Sequence, residues 1–222
     1  MATSSGVNVE IAASRLGRWA EFFLVFLAIP LLLYAGLLPA WPIPILLAGA
    51  LGAYLVLRRD FGFDPGRLFR WNGAKFVVWP ILFRDFVLLV ILGLAVWQFA
   101  PESLFALIKR APRLWIAVMI LYPLLSVYPQ ELLFRAYFFR RFETLFGSGA
   151  GLIAASAIAF SFVHIIFGNW IALSLTLIGG VLFATTYRQS GSLLLTSIEH
   201  AVFGNFLFTI GLGEYFYRIR PF

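Results

Sequence analysis

The chain contains no cysteine. Disulfides and thiolate zinc sites are therefore excluded, although this says nothing of compartment. Charge is scarce too. Only 12% of the 222 residues are Asp, Glu, Lys or Arg, about half the share of an ordinary soluble domain. There is no internal repeat and no low-complexity tract. The metalloprotease helix signature H-E-x-x-H is missing, since neither of the two histidines lies in it. No serine sits in a nucleophile-elbow motif.

What is present is apolar surface. Apolar types make up 62% of the chain, more than one soluble core of this size can hide. The apolar runs are continuous rather than alternating, which disfavours an outer-membrane barrel. The expected fold class is all-α, a polytopic transmembrane helical bundle with about seven spanning helices. The spans are expected near Glu21–Leu38, Ile43–Leu57, Asp85–Ala100, Leu114–Phe142, Ala150–Phe167, Trp170–Tyr187 and Leu193–Leu212. The stretch from Arg58 to Arg84 mixes cations with Phe, Trp and Gly, and reads equally as a loop or as an interfacial amphipathic segment. In domain terms, residues 1–20 read as a cytoplasmic lead-in, 21–213 as the bundle and 214–222 as a short polar tail. No cleavable signal peptide is evident, so the first helix is expected to stay as an anchor.

The formal charge of +7 is assigned to topology and anionic lipid rather than nucleic acid, because the basic residues sit beside hydrophobic spans. A cytoplasmic N-terminus puts Arg58 to Arg84, Arg135 to Arg141 and Arg188 on the inner side. Lys109, Arg110, Arg113, Arg218 and Arg220 oppose that rule. The expected location is the plasma (inner) membrane.

Ionisable side chains cost roughly 2.5–3.5 kcal/mol each at a helix centre on insertion scales, so they seldom sit there without a partner or a task. Here Glu131 and Arg135 share one helix face at i,i+4, and His164 and His200 occupy two further spans. At 1.5 Å per residue, Glu131 and His200 both lie roughly 15 Å from the cytoplasmic ends of their helices, and His164 roughly 20 Å from its own. The three can therefore meet near the midplane. Arg135 reads first as an internal ion-pair partner that orients Glu131. Glu199 is equally a structural residue, because helical neighbours point about 100° apart and need not both face the bundle. A carboxylate with imidazoles can activate water, and a second imidazole or an Asn amide can stabilise the resulting oxyanion. Two His and one Glu are also a common catalytic zinc set. Glu131, His164 and His200 are thus the candidate ligands of a divalent metal, with a metal-free mechanism preferred.

The run Pro129-Gln130-Glu131-Leu132-Leu133-Phe134-Arg135, then Phe160-x-x-x-His164, then His200 with Asn205 nearby, resembles the CAAX-protease and bacteriocin-processing family of intramembrane proteases. That family includes the type II CAAX prenyl endopeptidases. The resemblance covers about Leu114 to Gly213 and includes Ser190-Gly191-Ser192-Leu193. It implies an intramembrane endopeptidase acting on membrane-anchored, in some members prenylated, peptides. Gln130, Glu131, His164, His200 and Asn205 would line the site, with Arg135 orienting. The first glutamate of the family's pair, which with the second-motif histidine activates water, is Gln130 here, and an amide has no accessible pKa for that role, so either Glu131 serves as base or the protein has little peptidase activity. Gly204 occupies the fourth position after His200, where the family has Asn or Asp. Asn205 comes one residue later and would need a local irregularity such as a π-bulge to join His200. The alternatives are a non-catalytic relative that binds a membrane peptide or partner protein, and a small transporter. Oligomeric state is not legible.

Overall fold

The computed structural model describes residues 15–39, 42–71 and 78–217. The proposed lead-in up to Ser14, Trp41, Lys75, Arg218 and Arg220 lie outside the described residues. Among the described residues, seven helices are long and apolar enough to cross a membrane: α1 Arg15–Tyr34, α2 Pro42–Arg59, α3 Val78–Phe99, α4 Pro112–Phe146, α5 Ala150–Phe167, α6 Trp170–Ser190 and α7 Leu193–Ile210. Among the described residues there is no strand. The expected all-α, polytopic helical bundle is what forms, and the protein is an integral multi-pass membrane protein.

Burial follows the division between lipid and bundle. Helix α3 buries only Ile81, Asp85 and Val96, and presents Trp79, Phe83, Phe86 and Trp97 outwards. An apolar exterior of that kind suits hydrocarbon, not water. Helix α4 runs through the middle. Every residue from Leu132 to Phe138 is buried, and edge-to-face rings join Phe26 of α1 to Phe134, Phe138 and Phe142 of α4. Helices α5 and α6 approach so closely at Gly180 that a Cβ there would meet the Ala157 backbone at 2.9 Å. Small residues at such crossings let helix backbones touch, which is how membrane helices gain packing without a hydrophobic driving force. Gly191 closes α6 in the left-handed region at φ +62°, and Ser192 caps α7 by accepting from the Leu195 N–H at 3.0 Å.

Helix α4 is not a regular α-helix. Two π-helical segments, Pro123–Val127 and Leu132–Tyr137, interrupt it. Proline supplies the cause of the first. Pro123 has no N–H, so the Met119 carbonyl one turn earlier loses its normal donor. The side-chain amide of Asn205 on α7 replaces it, donating to Met119 O at 3.2 Å. Trp115 donates to Thr209 Oγ1 at 3.1 Å, and Thr209 Oγ1 donates to Asn205 O at 2.7 Å. The start of α4 and the end of α7 are thereby strapped together.

Charged residues gather at one end of the bundle. Arg140 of α4 forks onto Asp60, just past α2, at 2.6 and 2.7 Å, and Arg141 pairs with Glu21 of α1 at 2.8 Å. Helix α3 begins at Val78, seven residues before the Asp85 start expected from the sequence. Arg84 is therefore inside a helix rather than in a loop. It is held there by Asp85 at 2.8 Å, by Glu199 of α7 and by Thr186 of α6 at 3.2 Å. Paired in this way, the charges need not reach the interface. At the other end, Leu212–Phe216 forms a 3-10 turn, with Phe216 packed against His164 and Phe167. Residues from Glu214 to Phe216, where the short polar tail is expected to begin, thus lie against the bundle.

Candidate active site

Glu131 and His200 meet, as their depths in the sequence require. His200 Nδ1 lies 2.8 Å from Glu131 Oε1, and the other carboxylate oxygen is 3.2 Å from Arg135 Nε. Glu131 and Arg135 are both fully buried. Arg135 donates from Nη1 to Ser156 Oγ at 3.0 Å and to the Phe134 carbonyl at 3.3 Å, while its guanidinium lies 4.9 Å from the Phe160 ring centroid. The ion-pair reading of Arg135 is what the structure displays. Ser156 and Phe160 supply the rest of its cradle, offering an acceptor and a π-face to a desolvated cation.

Phe160 also organises the histidines. The His164 ring centroid lies 4.9 Å from that of Phe160, and His200 packs edge-on against the same ring at 5.5 Å. Phe183 of α6 stacks on His200 from the other side at 4.5 Å. His164 Nδ1 lies 2.6 Å from the Phe160 carbonyl oxygen. A carbonyl can only accept, so Nδ1 carries the proton and Nε2 of the neutral ring holds the lone pair. At His200 the acceptor is a carboxylate, so Nδ1–H donates to Glu131, and Nε2 lies 3.1 Å from the Tyr122 hydroxyl.

These groups border a cavity of about 840 Å³ whose wall is mostly aliphatic and aromatic. Its polar wall includes Tyr122, Ser126, Gln130, His164 and His200. Such a combination, a large apolar chamber with a few convergent polar groups, is the usual form of a ligand site. Glu131 is not among the lining residues; it stands behind His200. Gln130 lines the cavity, donates from Nε2 to Ser126 Oγ at 2.6 Å and keeps a buried Oε1 without a partner. Asn205 is not brought to His200. Helix α7 is regular α throughout Leu193–Ile210, so no π-bulge turns the residue, and its amide serves the Met119 carbonyl instead. Glu199 faces Arg84 and Thr186, on a different side of α7 from His200.

Sequence reasoning missed Tyr122 and Ser126. The signal was there: Tyr122, Ser126 and Gln130 recur every four residues along one apolar helix. Ser156 and Phe183 emerge only from the packing of their helices, as does the part Phe160 plays beside Arg135 and His200.

The three candidate metal ligands are not arranged around a common point. A zinc set needs each donor atom about 2.0–2.2 Å from one ion. Among the described residues no three His, Cys, Asp or Glu side chains form such a group. Glu131 is instead bonded to His200 on one oxygen and set against a guanidinium on the other. As arranged, these donors do not fit a shared metal ion.

A family model described as Type II CAAX prenyl endopeptidase Rce1-like matches residues 112–207. That segment holds all three motifs, so the resemblance to the CAAX-protease and bacteriocin-processing family is borne out over α4 to α7. No curated protein and no solved structure matches the chain. The fold defines a multi-pass α-helical membrane protein, and its helices α4 to α7 are similar to a family of intramembrane proteases.

Proposed function

We propose that the protein is an intramembrane endopeptidase that hydrolyses a peptide bond of a membrane-anchored substrate, without a metal. The observation that carries this is the placing of two histidines against one phenylalanine ring, one of them backed by a buried carboxylate, at the wall of a large apolar cavity. An apolar chamber suits a lipid-attached or otherwise membrane-resident peptide, and the bond to be cut would lie against the polar strip from Tyr122 to His200.

His164 is the base. Its Nε2 holds a lone pair in the cavity wall, while Gln130 cannot take a proton and Glu131 has both oxygens engaged behind His200. His164 takes a proton from water as the oxygen attacks the carbonyl carbon, and returns it to the amide nitrogen as the C–N bond breaks. Glu131 fixes the tautomer and orientation of His200 through Nδ1, as carboxylates do in other histidine sites. The charged end of the bundle, with Arg58, Arg59, Arg140 and Arg141, is taken as cytoplasmic, in the inner membrane, by the positive-inside rule. That places the N-terminus inside.

The test uses purified protein in detergent with a panel of membrane-anchored peptides, lipidated and unmodified. We expect cleavage that survives exhaustive chelation, and a loss of about 10²–10⁴ in rate for His164→Ala with an unchanged melting temperature. Gln130→Glu is expected to be neutral or harmful, because two adjacent carboxylates in low dielectric cannot both ionise cheaply. A second reading, a relative that binds membrane peptides without cutting them, is favoured specifically by Gln130. Tight peptide binding without cleavage, together with a gain of cleavage in Gln130→Glu, would establish it in place of the first.

A further inference from the structure

The carbonyl oxygen of a peptide under attack gains negative charge and needs a hydrogen-bond donor at the position where that charge develops. In this chain the side chain four residues after His200 is missing. Position 204 lies one turn along α7, on the face of His200, and borders the same cavity, but it is glycine. The space is filled from another helix. A Cβ at Gly204 would lie 2.3 Å from Tyr122 Cε1 and 2.4 Å from the Tyr122 hydroxyl oxygen. Tyr122 and any larger residue at 204 thus exclude each other, and the Tyr122 ring occupies the place such a side chain would take.

We propose that the Tyr122 hydroxyl is a catalytic residue, the donor that stabilises the tetrahedral oxyanion. This rests on the peptidase reading above. In the resting arrangement the hydroxyl donates to His200 Nε2 at 3.1 Å. The oxygen is held in place by that bond and by the ring, which packs against Phe208 at 5.4 Å. When water adds to the carbonyl carbon, the C–O bond forms, the carbonyl π pair moves onto oxygen and the water proton passes to His164. Tyr122 meets the new charge by rotating its O–H about the Cζ–O bond, away from Nε2 and onto the oxyanion. No proton leaves Tyr122. When the intermediate collapses and the C–N bond breaks, the hydroxyl returns to His200. Helix α4 thereby supplies what α7 lacks, and the Glu131–His200 pair acts as the anchor for Tyr122.

Tyr122→Phe keeps the ring and removes only the donor. In the purified full chain, kcat on the best cleaved peptide should fall about 10²-fold, with KM and melting temperature essentially unchanged. Tyr122→Ala opens the space. The double variant Tyr122→Ala with Gly204→Asn puts an amide donor back into it from α7, and should recover at least tenfold over Tyr122→Ala alone. Full activity in Tyr122→Phe, while His164→Ala is dead, overturns the proposal and leaves the peptidase reading standing. A loss in Tyr122→Phe that comes with a matching fall in melting temperature, and no recovery in the double variant, also overturns it and makes Tyr122 structural. Absence of cleavage by the unmodified protein removes the peptidase reading itself, and this inference with it.

Discussion

Arg135 is the residue on which the interior charge balance turns. Among the described residues it is the largest fully buried side chain, and its guanidinium faces a carboxylate, a serine hydroxyl, a backbone carbonyl and a phenyl ring at once. A flat, forked cation can serve all four; the point charge of an ammonium cannot. Arg135→Leu would leave Glu131 buried without a countercharge, a loss of about 3–5 kcal/mol for a broken buried pair. Arg135→Lys should rescue only part of it. Thermal unfolding in detergent, or accumulation in the membrane, reads both. At this scale the sequence is informative wherever chemistry alone marks a residue. Glu131, Arg135, His164 and His200 stand out because charge in an apolar run demands a reason. Tyr122 does not stand out, because its position depends on a side chain that Gly204 lacks, and an absence on one helix cannot be paired with a presence on another until the helices are packed. Asn205 misleads for a related reason: the carbonyl it serves is orphaned by Pro123, on a different helix.

The helices themselves are legible to within a few residues, except at the starts of α1 and α3, which begin at Arg15 and Val78 rather than Glu21 and Asp85. The sequence suggests a start at Asp85 because Arg84-Asp85 looks like a water-facing end. Arg84 is in fact kept within the helix by Glu199, a partner more than a hundred residues away in sequence that no local pattern reveals, and Asp85 is held in turn by Arg84. Helices α5 and α6 cross backbone to backbone at Gly180. Gly180→Val should push the Ala157 backbone away and cost about 1–3 kcal/mol, the usual penalty of overpacking. A fall in melting temperature would be the reading. Activity in the surviving protein should fall as well, since α6 carries the Phe183 that stacks on His200.

Across the whole molecule, one end of the bundle is tied by ion pairs and the other by aromatic packing, so acid should loosen only the first. The hydrogen bonds from Arg140, with a smaller contribution from the Gly62 N–H, hold the Asp60 carboxyl down at about 2, against roughly 3.9 in an unfolded chain. A depressed carboxylate stabilises the fold above its unfolded pKa, and that contribution disappears as pH falls through the folded value. The pair is about a third exposed and screened by water, so the effect is small. The difference in melting temperature between the native chain and Asp60→Asn should be constant from pH 7 to 5 and shrink steadily below about pH 4. A gap that stays the same at pH 2.5 would assign the Asp60 contribution to packing rather than charge. Helix α4 links the two ends, and its π-helical segments govern how. Each wide turn accommodates one more residue than an α turn, which sets the rotational phase between the stretches of helix on its two sides. Excising a single residue such as Leu124 would restore ordinary α winding there and keep the two sides in phase, whereas inserting one residue into the regular turns just before Pro123 would swing the rest of the helix by about 100°. Glu131 would turn away from His200 in the same motion that carries Arg140 off Asp60. The length of this helix is therefore quantised: the Glu131–His200 pairing inside the membrane and the ion pairs at its surface are in step only for particular residue counts, and an insertion that leaves every motif residue in place would still dismantle both.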